Sequence, residues 1–218
     1  MKVLVPPQSG SKEGVTASRN RFGQYIRTRA IPVNPSSAAQ GLVRARMTTN
    51  SEAWRALTAA QRAGWTGLGT SMVRSDSLGQ SYSLQGNQAY CSVNNNRLLC
   101  GLAVVADAPA LTAVTNIVTA TITLTNAALS IAYTTTPLSA ATYLAVFASP
   151  QRSAGRNFEA DFRFVKLSAA AGASPLVALT EYTAKFGVPV TGNRIFFSFT
   201  AITLGFESGP FVTSQVVS

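Results

Sequence analysis

The chain contains no histidine. That absence removes Ser-His-Asp and Cys-His catalysis and most zinc-ligand sets in one step. Cysteine is nearly absent too, with only Cys91 and Cys100. Both fall in a stretch that reads as one helix, where nine residues rise about 13.5 Å against a limit of about 7 Å for a disulfide. Two reduced, buried thiols are expected, and neither a bridge nor a metal site. No apolar run reaches the 18 residues that a transmembrane helix needs, so no membrane span is expected. Met1 to Pro7 is basic and then apolar, but Pro6-Pro7 stops the apolar part too early for a signal peptide, and manufacture in the cytoplasm is expected. No glycine-rich phosphate-cradling motif is present. Glu159 and Asp161, two apart in a run that reads as a strand, share a face and fit a solvated strand surface better than acid/base chemistry. No catalytic, cofactor-binding or metal site is expected, and the chain does not read as an enzyme.

Charge is scarce and lopsided. Charged residues make up 12% of the 218 residues, against about 25% in an average soluble domain. Residues 1–100 hold twelve Lys or Arg against Glu13, Glu52 and Asp76, while the rest of the chain is almost balanced at six against five. Such asymmetry points to an anionic partner for the first half: nucleic acid, a membrane surface or an acidic protein. Arginines that merely solvate helix and strand faces are the alternative. Arg19, Arg21, Arg27, Arg29, Arg44 and Arg46 are the candidates for contact with a polyanion or a neighbouring subunit.

The 46% hydrophobic content allows one large or two modest cores. Residues 1–13 lack any period and read as a flexible leader. Two β-prone runs around Asn20-Arg21-Phe22-Gly23 then suggest a hairpin, whose second arm alternates Tyr25, Arg27 and Arg29 with Ile26, Thr28 and Ala30. An isolated hairpin is marginal in water, so this one needs support from its own helices, a neighbour or a polyanion. Asn34-Pro35 is a helix-start signal. Val43, Met47, Asn50, Trp54 and Leu57 follow at helical spacing, with a restart at Ser51 as one option. Thr58-Ala-Ala-Gln61 has the form of a capping box, opening a second helix that carries Trp65 and Leu68 and ends at Gly67 or Gly69. Trp54, Thr58, Gln61 and Trp65 are therefore expected as structural anchors closing a helical hairpin. A polar loop is expected over 70–85. A third helix over 87–101 follows, weakened in its middle by the run Asn94-Asn95-Asn96.

From Pro109 the chain turns to short Thr-, Ala- and Val-rich runs, many of them alternating. Among them are Ile122/Leu124, Leu129/Ile131/Tyr133, Tyr143/Ala145/Phe147, Phe158/Ala160/Phe162/Phe164 and Ile195/Phe197/Phe199. Six or seven such strands suggest an immunoglobulin-like or fibronectin-like sandwich. Helical turns interrupt it over 179–187, with Tyr182 a candidate tyrosine corner.

Several motifs carry a resemblance: Asn20-Arg21 with Tyr25 and Arg27; Asn34-Pro35, Ser37, Gln40 and Arg44; Trp54, Leu57-Thr58, Gln61-Arg62 and Trp65; and Asn94, Asn96-Arg97-Leu98-Leu99 and Gly101. Over about residues 14–105 the chain resembles a family of uncharacterised phage and prophage structural proteins. The resemblance implies a role in the virion or its tail.

The expectation is an α+β protein: a leader over 1–13, a basic β-hairpin arm and small helical module over 14–105, and an all-β immunoglobulin/fibronectin-like sandwich over 106–218. Its expected function is that of a phage virion structural protein, made in the host cytoplasm and located in the virion. It would dock into a multi-subunit assembly as a capsid decoration, neck or tail component. Its expected partners are copies of itself, other virion proteins and packaged nucleic acid, with no membrane. The alternative is a non-enzymatic nucleic-acid-binding protein that uses the N-terminal arginines.

Overall fold

The computed structural model describes residues 9–20, 23–76, 78–134 and 138–218. The chain forms a mixed α+β structure in which antiparallel strands dominate. It divides into two compact units, one up to Leu42 and a second over Val43–Ser218. The expected boundary near residue 105 lies inside the second unit.

The first unit holds a three-stranded antiparallel meander, β1 (Gly10–Lys12), β2 (Val15–Asn20) and β3 (Gly23–Thr28), in the order β1-β2-β3. The expected hairpin is present and has a third strand, which draws Gly10–Lys12 out of the expected leader. Arg21 lies outside the described residues, as do residues 1–8 of the leader.

Helix α1 (Ala38–Ala56) begins three residues later than Asn34-Pro35 suggests. Asn34 accepts the Ser36 N–H in a local turn. Ser37 Oγ instead accepts the Gln40 N–H, and Gln40 Oε1 accepts the Ser37 N–H, both at 3.3 Å, which is the reciprocal capping box. The helix does not restart at Ser51. The Thr49 and Ser51 hydroxyls donate back to the carbonyls of Ala45 and Met47, so neither serves as a new cap. Only Asn50 of this helix is buried, and Val43 and Met47 of the expected seam are exposed.

Helix α2 (Ala59–Ser71) runs past Gly67 and Gly69. The expected loop over 70–85 contains a small hairpin, β4 (Val73–Ser75) with β5 (Ser81–Ser83). Helix α3 (Gly86–Leu99) passes unbroken through the run Asn94-Asn95-Asn96. Leu57, Trp65, Leu68, Ala89, Tyr90 and Val93 form the buried centre of this helical cluster.

After an extended segment come β6 (Thr119–Leu124), β7 (Leu129–Thr134), β8 (Thr142–Ala148), β9 (Arg152–Ser153), β10 (Arg163–Leu167) and β11 (Leu176–Val177). Helix α4 (Leu179–Phe186), β12 (Asn193–Thr203), β13 (Phe206–Glu207) and β14 (Phe211–Val216) complete the chain. One sheet has the order β10-β8-β12-β13, with β9 and β14 also on β12; the other has the order β11-β7-β6. Alternate residues of both sheets meet in one core, with Ile122, Leu124, Leu129 and Ile131 from one and Leu144, Val146, Ile195, Phe197 and Phe199 from the other. Tyr182 of α4 is fully buried, and its hydroxyl donates to the Ser149 carbonyl at 3.2 Å, 33 residues upstream. It thus ties α4 to the end of β8 rather than bonding a few residues back as a tyrosine corner does.

The hairpin tip between β12 and β13 enters the helical cluster. Phe206 is buried there. Gly205 has φ of +99° and lies so close to α3 that an added Cβ would sit 2.6 Å from the Val93 carbonyl oxygen. Only glycine fits both conditions.

Candidate assembly surface

Strand register sorts the arginines of the first unit. Thr16 faces Arg27 and Ser18 faces Tyr25 across β2 and β3, and Ser11 faces Thr16 across β1 and β2. Cross-strand partners share a face, so Ser11, Thr16, Ser18, Tyr25 and Arg27 lie together. Ser11 Oγ and Thr16 Oγ1 hydrogen-bond at 2.8 Å. Arg29 follows Arg27 in the same alternation, because its N–H donates to the Gly14 carbonyl at 2.8 Å and prolongs the ladder. The opposite face carries Lys12, Val15, Ala17, Arg19 and Ile26. Arg19 is therefore separated from Arg27 and Arg29.

Arg44 and Arg46 lie on α1, and residues two apart on a helix do not share a face. Arg46 is half-buried, and its charge is felt at the Cys100 thiol at the end of α3. Burial pushes that thiol up to about 11, with Arg46 and Arg97 pulling the other way. Both cysteines are free thiols and half-buried. The six candidate arginines divide by element. Two share a sheet face, one lies behind it, two diverge on a helix, and Arg21 is outside the described residues. Among the described residues, Arg19, Arg27, Arg29 and Arg46 make no salt bridge.

The face carrying Val15, Ala17 and Ile26 is apolar and open. Val15 is 43% and Ile26 46% exposed. Lined also by Ser9, Gly10, Ser11 and Lys12, it forms a shallow hollow of about 590 Å³. Further along the same unit, Ile31, Val33 and Leu42 are exposed as well. No hydrophobic residue of this unit is buried, among the described residues. A small sheet needs a packed hydrophobic face for independent stability, and within this unit no residue covers that face.

Thr58 and Gln61 form the capping box at the start of α2. Thr58 Oγ1 accepts the Gln61 N–H at 3.3 Å and Gln61 Oε1 accepts the Thr58 N–H at 3.0 Å, while Gln61 Nε2 also reaches Asp107. Trp65 is fully buried and donates from Nε1 to the Ala106 carbonyl at 2.7 Å. The two tryptophans close on Tyr90 of α3: its ring centroid is 5.3 Å from Trp54 and 5.0 Å from Trp65, the latter edge to face. The partner that spacing did not suggest is therefore Tyr90.

The asparagine run does what its position alone did not reveal. Asn94 is fully buried and clamps the extended segment, with Oδ1 accepting the Val105 N–H and Nδ2 donating to the Val105 carbonyl. Asn95 accepts from Asn50 of α1, and Asn96 donates to the Gly205 carbonyl at 2.9 Å.

No protein-family model matches the chain, and neither does any curated protein.

Glu159 and Asp161 do not share a strand, because β10 starts only at Arg163. Glu159 is buried, paired with Arg152 and Arg156, and accepts the N–H groups of Ala160 and Asp161. Asp161 is half-buried and paired with Arg163. The loop around Glu159 presents Phe158, 74% exposed, beside Phe162, Phe196 and Val212 in an apolar hollow of about 520 Å³.

Proposed function

We propose that this protein is a structural component of a phage virion, held in a multi-subunit assembly through the apolar face of its N-terminal sheet. The observation that carries the reading is the first unit's lack of any buried hydrophobic residue among those described, with Val15, Ile26, Ile31, Val33 and Leu42 all open. Isolated exposed apolar side chains are ordinary, but an entire small sheet without a core calls for a partner surface. The resemblance to phage and prophage proteins over about residues 14–105 supports a virion as the setting.

The immunoglobulin- or fibronectin-like reading of the β-half belongs to this proposal. The order β6-β7-β11 against β10-β8-β12-β14 supports it, since it matches the A-B-E and C′-C-F-G strand order of such sandwiches. The apolar hollow at Phe158 is a second surface suited to a neighbour.

Light scattering on the purified full chain over a concentration series tests the reading. The mass should rise above that of a 22.9 kDa monomer, and Ile26→Asp should return it to the monomer. A wild-type chain that stays monomeric at every concentration, and that does not associate with virion proteins in lysates of phage-producing cells, would sink it.

A further inference from the structure

The opposite face of the same small sheet carries a different chemistry. Tyr25, Arg27 and Arg29 succeed one another at every second residue of β3 and its extension, flanked by the hydroxyls of Ser11, Thr16 and Ser18. Residues two apart on a strand lie about 6.6–6.8 Å apart, a spacing that lets neighbouring cations meet successive phosphates on one polynucleotide strand. We propose that this face binds single-stranded nucleic acid, with Arg27 and Arg29 on phosphates and the Tyr25 ring stacked on a base.

Charge accounting argues against a second copy of this chain as the partner of that face. Of the eight acidic residues, Glu159, Asp161, Glu181 and Glu207 are held in salt bridges. Asp76 accepts the Leu78 and Gln80 N–H groups, and Asp107 accepts from Gln61. Those amide bonds leave the charge in place, so Glu13, Glu52, Asp76 and Asp107 are the carboxylates without a cationic partner among the described residues, and in a chain of net charge +10 these four scattered groups offer little to balance Arg27 and Arg29. The counter-charge comes from a different molecule. An acidic protein could supply carboxylates but would leave the tyrosine at the head of the row without a role. A polynucleotide uses both the cations and the ring.

Fluorescence anisotropy of a labelled oligothymidylate, titrated with the full chain over a range of salt concentrations, tests this. Binding should weaken with salt, and the double variant Arg27→Gln/Arg29→Gln should lower the log–log slope by about 1.4, at about 0.7 per phosphate on a single strand. Tyr25→Leu should lower affinity roughly five- to a hundred-fold with the slope unchanged. Arg19→Gln, on the other face, should leave the slope as it is, and Arg27→Lys/Arg29→Lys should keep it, which separates lost contacts from a misfolded sheet. Equal affinity for poly-glutamate, binding only to anionic lipid vesicles, a wild-type slope in the double Gln variant, or full affinity in Tyr25→Leu would each overturn the proposal. The inference does not rest on the assembly reading. Particle mass reads one face and oligonucleotide anisotropy the other, so either can fail alone.

Discussion

Glu159, the buried residue of an otherwise exposed loop, takes two backbone N–H bonds and two guanidinium partners. Its carboxyl is held down to about 2, chiefly by the Asp161 N–H, with burial opposing and Arg152 adding to the effect. In the unfolded chain the same group titrates near 4.3. Because the folded value is the lower one, its stabilising contribution is complete above about pH 4.3 and is lost as pH falls through about 2. Thermal melting followed by circular dichroism should show wild type losing stability across that window. Glu159→Gln should lower stability at neutral pH and give a flatter acid limb. Gly205 offers a second test at this scale. Alanine there meets both a disfavoured φ and the Val93 carbonyl, so Gly205→Ala should cost about 2 kcal/mol or more, read by denaturant unfolding.

Helix α2 owes its start to one reciprocal pair of hydrogen bonds. Thr58→Ala removes the side chain that caps it and should cost about 1 kcal/mol, with Thr58→Ser close to neutral, both measured by urea midpoint. The box was legible because all its information lies within four residues, and Trp65 was legible because helical spacing marks a core position. The same four-residue logic at Ser37 and Gln40 was available, but Asn34-Pro35 offered a competing start that the chain uses for a turn instead. The asparagine run was not legible. Its partners Val105, Asn50 and Gly205 lie up to 109 residues away, and a buried side-chain amide looks like a helix weakness until its tertiary bonds are known. The strands β4 and β5 are not legible either, because runs of only three residues carry no period. The alternation of Phe158, Ala160, Phe162 and Phe164 suggests a strand through Glu159, although pairing with β8 begins only at Arg163. The alternation of Tyr25, Arg27 and Arg29 was readable, whereas the separation of Arg19 from them required the register across β2 and β3.

Across Val43–Ser218, the helical cluster and the two sheets form one compact unit because Phe206 belongs to the helical core while its hairpin belongs to the larger sheet. Phe206→Ala should cost about 3–5 kcal/mol. The loss should appear in the fluorescence of Trp54 and Trp65, the only tryptophans, at the same denaturant concentration as in the far-ultraviolet signal of the sheets. Two separated transitions in the wild type would show instead that the halves unfold independently.

The hairpin tip also sets an order of events during synthesis. Asn96 and Gly205 meet across 109 residues, so α2 and α3 leave the ribosome long before the residue that closes their core. Until β12 and β13 arrive, the socket around Trp65, Tyr90 and Val93 stands open as a sticky apolar surface, and contacts so distant in sequence form slowly. The nascent chain is therefore at its most aggregation-prone just before the β12–β13 turn emerges. A chaperone that shields the helical module during that interval should raise the soluble yield of wild type, but rescue Phe206→Ala far less.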